Sequence, residues 1–417
     1  MRLTLVVNNT ASLEGGAKAT FVFDEDGGSI GSSETSSWRL LNLIKAQSRI
    51  YEDQPADAAK LGAEQIAKAV VAPEPDDNRD QGQRIARSFA RLSQIVTANG
   101  KDKPYFEELQ GALQNLEAYM REIKSGEASN KPVALDKAQA RANLTGDDPI
   151  YVLRRISANL PPPLNRLLTK LADQCWKVEL ASAKRDLQAL WQDQVYRQFY
   201  VDLATRYPFN RNSKEDVSLD QFTRFFGPKG AFDAFARNHL TIFINADTNE
   251  PVVIDGRALD VSSSFVDQLK QVRKIRDIFF DANGSPTLHY SLEPLSLSGT
   301  AARSVLNIEG QLVPYSHGPT RPIQILWPNA LSSQQNMSQF SVFGANFNSG
   351  AANLTFQGLW SGFRLLDRAA VSGVQADGVT LSFSVGDQRA LYRLRIAGPE
   401  NPFVSEPLRK LKLPETL

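Results

Sequence analysis

Cysteine and histidine are nearly absent from this sequence. Its 417 residues hold one cysteine, Cys175, and three histidines, His239, His289 and His317. A single cysteine excludes an intramolecular disulfide and any multi-cysteine metal site. With Leu171 and Trp176 as neighbours, Cys175 reads as a small buried hydrophobe. The histidines show no His-x-x-x-His or His-Glu-x-x-His spacing, which argues against zinc. His239 falls near a helix C-terminus, where it suits the helix dipole better than a metal. An excess of one charge is also missing. Lys+Arg 47 against Asp+Glu 46 leaves a formal charge of +1, so the electrostatic footprint of a nucleic-acid-binding protein is lacking and no nucleic-acid partner is expected.

Long apolar runs are absent too. None reaches 18 residues, so no helix is expected to span a membrane. The stretch Met1–Asn9 breaks at two asparagines, too early for a signal peptide. Taken by itself, the chain is expected to stay in the cytoplasm where it is made. Catalytic motifs are missing as well. There is no Gly-x-Ser-x-Gly elbow, and Gly227-Pro228-Lys229-Gly230 has no preceding strand, so it reads as a helix break and not as a phosphate loop. Asp255 and Asp260 are simplest as solvated loop acids. A hydrolase built on such acids stays open only if two carboxylates prove to lie roughly 5–10 Å apart in a cleft. No catalytic, cofactor-binding or metal-binding residue is assigned, no cofactor is expected, and the chain is not expected to be an enzyme.

What is present is a change of period. Hydrophobic content of 42% and charged content of 22% are ordinary for a globular protein, and the length suffices for two or three cores. Residues 1–40 alternate around Leu3, Leu5, Val7, Phe21 and Phe23, which predicts a short β segment. From 41 to 205 the apolar period is helical. Helices are predicted over 57–71, 83–97 and 103–124, with a broken, polar connection over 125–149. After Pro161-Pro162-Pro163 a long helix carries Leu164, Leu167, Leu168, Leu171 and Cys175, then Leu187, Trp191, Val195, Phe199 and Leu203. Tyr207-Pro208 ends it.

Ser218-Leu219-Asp220-Gln221 fits a capping box that opens a helix with Phe222, Phe225 and Phe226 and stops at Gly227-Pro228. Another helix opens at Gly230. Ser264–Asp267 is a second capping signal, for a helix ending near Asn283-Gly284. From Thr287 onward short alternating runs dominate: 287–293, 303–308, 311–315, 322–327, 339–343, 352–356, 363–367, 379–385 and 390–396. They predict a sandwich or a partly closed barrel. The expected class is therefore α+β: N-terminal and central helical bundles, then a C-terminal all-β sandwich, with a short N-terminal β fragment. The predicted divisions are 1–40, 41–148, 149–284 and 285–417. Trp327 at a strand end and Trp360 with Arg364 in an aromatic-rich strand entry read first as core and second as partner-binding anchors.

The block Arg206-Tyr207-Pro208-Phe209-Asn210, Asp216–Leu219 and Phe225-Phe226-Gly227-Pro228-Lys229-Gly230, followed by Trp360, Arg364–Asp367, Asn401-Pro402-Phe403 and the closing Leu411–Pro414, resembles the C-terminal region of the IcmF-like (TssM) family. These are inner-membrane scaffold proteins of the bacterial type VI secretion system. The likeness runs from about Pro149 to the C-terminus and more weakly over 41–148. It implies helical bundles followed by a β-sandwich on the periplasmic face of the envelope. It also implies an outer-membrane lipoprotein partner, an inner-membrane core partner, self-association and no catalytic residue in this region. Tyr207, Pro208, Phe209, Phe226, Gly227, Pro228 and Gly230 are then a structural signature. Residues 1–40, with Phe23–Gly31, resemble the start of a forkhead-associated domain. There Ser32 replaces the phosphate-reading arginine, and the downstream Ser-x-x-His is missing. The sequence leaves two alternatives open: a cytoplasmic regulatory module with a degenerate phosphothreonine-binding segment, or a truncated, non-functional fusion.

Overall fold

The computed structural model describes residues 2–8, 18–24 and 105–417, apart from gaps at 163, 330–332, 334–335, 345–351, 376–377, 397 and 399. The helices predicted over 57–71 and 83–97 lie outside the described residues. The chain divides into two units, 1–183 and 184–417. Helices precede antiparallel sheets, so the class is α+β, as expected.

In the first unit, β1 (Arg2–Asn8) and β2 (Lys18–Asp24) pair antiparallel, with Leu3 opposite Phe23 and Leu5 opposite Phe21. The helices are α1 (Tyr105–Ala128), α2 (Val133–Ala142), α3 (Pro149–Ala158) and the first part of α4 (Leu164–Trp191). The predicted connection over 125–149 is corrected: Pro132 precedes a regular helix, α2, which buries Ala134, Leu135 and Ala138. Its charged residues had masked that apolar stripe. Helix α3 starts at Pro149 because Asp148 accepts from the Ile150 and Tyr151 N–H groups, both at 3.0 Å, while the proline needs no donor partner there.

In the second unit α4 runs on to Trp191, and two π-type turns follow, Gln192–Tyr196 and Phe199–Leu203. Their reason is legible in the stripe. Leu187, Trp191, Val195, Phe199 and Leu203 recur every four residues, more than one α-helical turn, so a regular helix would rotate them off the core. The wider turns hold them in line, and all five are at most 1% exposed. Helices α5 (Leu219–Phe226) and α6 (Ala231–Phe235) follow. The short pair β3 (Val253–Ile254) and β4 (Arg257–Ala258) precedes α7 (Ser263–Phe279). The cap of α7 is Ser262, whose hydroxyl accepts from Phe265 N–H at 3.1 Å, and the helix stops at Phe279 because Phe280 is extended. Both ends correct the predicted ones.

The remainder is a two-sheet sandwich, which decides against the barrel alternative. Its strands are β5 (Leu288–Leu297), β6 (Ala301–Ile308), β7 (Gln311–Tyr315), β8 (Ile323–Trp327), β9 (Met337–Gly344), β10 (Ala352–Gln357), β11 (Ala370–Gln375), β12 (Gly378–Val385) and β13 (Gln388–Ile396). One sheet has the order β10-β9-β6-β7, the other β11-β12-β13-β5-β8, and every pairing is antiparallel. Phe340 of one sheet meets Phe383 of the other at 5.2 Å between ring centroids, and Ser304 and Tyr392 share a buried hydrogen bond of 2.9 Å. The run 363–367 is corrected from strand to helix: α8 (Ser361–Arg368) buries Phe363, Leu365 and Leu366. Phe-x-Leu-Leu satisfies both periods, and packing on the end of the sandwich selects the helical one. Strand β11 was missed because nearly all its residues are exposed, so it carries no apolar alternation.

Candidate functional site

The site that the signature residues build is a joint within the second unit, between its helical part and its sandwich. Tyr207 stands after the π turns, joined to Pro208 by a cis peptide bond. Its N–H donates to Glu215 O, and its carbonyl accepts from Val217 N–H, each at 2.8 Å. The chain therefore doubles back and brings Asp216 beside Tyr207. From the sandwich side, α8 presents Arg364 and Asp367 toward this turn. Arg364 donates to Asp216 through Nε at 3.2 Å and through Nη2 at 2.5 Å, and to Ser213 O at 2.9 Å. Its guanidinium also lies 3.9 Å from the centroid of the Tyr207 ring.

The Tyr207 hydroxyl donates to Asp367 at 2.7 Å. Burial, then the Asp367 charge, push that phenol well above its ordinary range. Arg409 also pairs with Asp367, and Arg211 reaches it at 3.3 Å. Pairs of this kind hold geometry when buried and hydrogen-bonded on both sides. Here Arg364 and Asp216 are 14% and 17% exposed.

Beneath the charges lies an aromatic layer. Trp360, wholly buried, donates its indole N–H to Val217 O at 2.8 Å. Its ring packs on Trp327 at 4.4 Å and on Phe222 at 5.5 Å between centroids. Phe222 stacks on Phe280, and Phe209 on Phe226. At Gly358, with φ +105°, any Cβ would collide with the Asp216 carboxylate, so only glycine lets the chain approach so closely. The break between α5 and α6 obeys the same logic: a Cβ at Gly230 would stand 2.8 Å from Arg224 O and 2.9 Å from Gly227 O. Pro228, by contrast, is exposed.

The C-terminal segment adds a second tie. Trp191 donates its indole N–H to Pro414 O at 2.9 Å, and Tyr200 its hydroxyl to Leu413 O at 3.0 Å. Gln188 brackets the last residues, donating to Glu415 O and accepting from Leu417 N–H. Sequence reasoning missed Asp216 and Asp367 as the acceptors that organise the joint, although both lay inside quoted motifs.

The candidate partner anchors are thus used internally. Trp327 is 1% exposed and Trp360 not at all, and Arg364 is committed to Asp216, Ser213 and Tyr207. None presents a free face, and the strand entry read around Trp360 is the start of a helix. The joint holds parts of the second unit together. Asp255 and Asp260 are exposed. Among the described residues no group of three or more His, Cys, Asp or Glu side chains could hold a metal, and no helix is long and apolar enough to cross a membrane.

A chain that ties a helical bundle to a C2-like sandwich in this way matches known families. Residues 182–285 match the type VI secretion protein IcmF helical domain, and residues 290–398 match the IcmF C2-like domain. Residues 182–285 and 290–398 are therefore similar, in order, to the helical and C2-like domains of the IcmF family.

The type VI secretion system component TssM1 of Pseudomonas aeruginosa is 26% identical over 404 residues, which cover 92% of this chain and 35% of that protein. The chain thus spans about a third of the length of this curated relative. A solved structure described as the T6SS protein TssM C-terminal domain from EAEC is 25% identical, covers 56% of this chain and 98% of its own, and has a TM-score of 0.50. A type VI secretion system membrane core complex shares the fold at a TM-score of 0.68 over 90% of this chain and 78% of that one, with 21% identity. Neither family model reaches residues 1–40, and none of these comparisons supports the forkhead-associated resemblance of that segment.

Proposed function

We propose that this chain is a non-enzymatic structural component of a type VI secretion membrane complex, acting at the periplasmic face of the envelope. There its sandwich meets an outer-membrane lipoprotein, and the chain also associates with an inner-membrane core partner and with its own copies. The observation that carries this reading is the ordered match of residues 182–398 to the helical and C2-like domains of one scaffold family. The joint gives it a physical sense. Ion pairs, stacked rings and a returning C-terminal segment fix the sandwich on its helical support, so a partner meets a surface of constant orientation. Because Trp327, Trp360 and Arg364 serve the joint, partner contact falls to other residues of the sandwich.

The test is binding of the purified full chain to the outer-membrane lipoprotein of the same secretion system. Saturable binding in the micromolar range is expected. Absence of binding at tens of micromolar, with a folded chain, overturns the lipoprotein assignment.

A further inference from the structure

Strand β11 is the outermost strand of the five-stranded sheet. Its open side presents unpaired N–H and C=O groups, and sheets normally blunt such an edge with charge, proline or a cover. Here the six residues Ala370-Val371-Ser372-Gly373-Val374-Gln375 carry neither charge nor proline. Among the described residues, the backbone of Val371–Gln375 makes no hydrogen bond outside its ladder with β12.

Its face is equally open. Val371 stands opposite Leu381, and Val374 opposite Val379. Residues directly opposite point to the same side of a sheet. Leu381 and Val379 are 4% and 1% exposed in the core, yet Val371 and Val374 are 57% and 65% exposed. Two valines three positions apart share that inner side only because the register shifts between Val371 and Gly373. The facing sheet ends at β10, which packs toward β12, and the two valines of β11 stay exposed beside it.

We propose that β11 docks a second copy of this chain, pairing antiparallel with its own counterpart across a two-fold axis. The strand is self-complementary. Antiparallel pairing centred between Ser372 and Gly373 sets Val371 opposite Val374 of the second copy, and Val374 opposite its Val371. Both strands carry their extra residue at the same place, so the two bulges face each other and the ladder keeps its register. An uncharged strand meets no repulsion from its copy. The two five-stranded sheets become one continuous sheet, and the four valines form one apolar patch, as an isologous contact requires. This deepens the self-association reading above, on which it rests, by naming the surface.

The experiment is sedimentation of the full chain over a concentration series, joined to cysteine cross-linking. The native Cys175 is buried, and burial pushes its thiol up to about 12, so it stays out of the reaction. A reversible dimer is expected, weakened tenfold or more in Val371→Glu and Val374→Glu. Val371→Cys mixed with Val374→Cys should cross-link several-fold more than either variant alone. Like positions of the two copies lie three residues apart along the strands, roughly 10 Å, beyond disulfide reach. A chain that stays monomeric to millimolar concentration overturns both the surface and self-association. A dimer indifferent to the glutamates overturns the surface alone, and equal cross-linking in mixed and single samples overturns the register.

Discussion

Tyr119 with Glu179 in the first unit and Tyr207 with Asp367 in the second are the same two groups placed in different company. Glu179 is wholly buried. One carboxylate oxygen accepts from Tyr119 at 3.0 Å, and the other has no hydrogen-bond partner among the described residues. Of the nearby cations, Arg141 pairs with Asp148 at 2.6 Å and lies over the Trp176 ring at 4.7 Å, and Lys137 pairs with Glu122 at 2.7 Å. Burial therefore dominates and pushes Glu179 up to about 7, against the pull of the Tyr119 hydrogen bond and the Arg141 charge. Asp367 keeps Arg409 and Arg211 as well as Tyr207. What separates the pairs is compensation. A half-buried carboxylate in direct ion pairs acts as a tie between elements, and a wholly buried one held only by a hydroxyl becomes a pH-dependent weakness.

Removing the carboxylate should therefore have opposite signs at the two places. The larger effect is expected at the joint. Asp367→Ala strips Tyr207 of its acceptor and leaves Arg409 with a lost partner in a half-buried setting. A loss of about 3 kcal/mol is expected, read as an earlier urea transition of the second unit by tryptophan fluorescence. An unchanged midpoint would show that the joint is held by its aromatic layer alone.

Glu179→Gln should stabilise. The folded value near 7 lies above the ordinary 4.5, so between these values the folded state binds more protons than the unfolded one. Stability of the first unit is then full at about pH 4.5 and below, and falls as pH rises through about 7. The substitution should leave protection nearly unchanged at pH 4 and raise it by on the order of 3 kcal/mol at pH 8. Hydrogen exchange of peptides from 105–183, measured against the wild type at each pH, reads this directly. A pH-independent difference would mean that folding does not shift the titration of Glu179 in this range.

The smallest effect belongs to the cap beside the joint. Ser218 accepts from Gln221 N–H at 3.1 Å, and the Gln221 side chain accepts from Ser218 N–H at 3.1 Å. Ser218→Ala should cost about 1 kcal/mol and leave the Asp216–Arg364 pair intact. A loss as large as that of Asp367→Ala would make the turn at 216–218 part of the same cooperative unit.

Much of this fold was legible because it is local. The four-residue stripe from Leu187 to Leu203, the capping box at Ser218 and the glycine break at 227–230 are each written in a few neighbouring residues, and each formed where expected. Strands with one buried face were legible for the same reason. What failed was ambiguous or unmarked: Phe363–Leu366 fits two periods, α2 hides its stripe among charges, and β11 buries nothing. The candidate site was visible only as a set of motifs. That Arg364 meets Asp216, 148 positions away, and Tyr207 meets Asp367, 160 positions away, has no local signal.

The sequence by itself determined most of the helices and the strands with one buried face, that charge is balanced, and the order of the signature motifs. Those properties depend on the spacing of side chains along a few turns or a few strand residues. Only the tertiary structure decided that the signature is a joint, that its tryptophans face inward, and that Asp367 pairs directly with Arg409 and Arg211 while Glu179 keeps only the Tyr119 hydroxyl. Burial and pairing are properties of distant segments brought together, and the free energy of a charge depends on those neighbours more than on the chain that carries it.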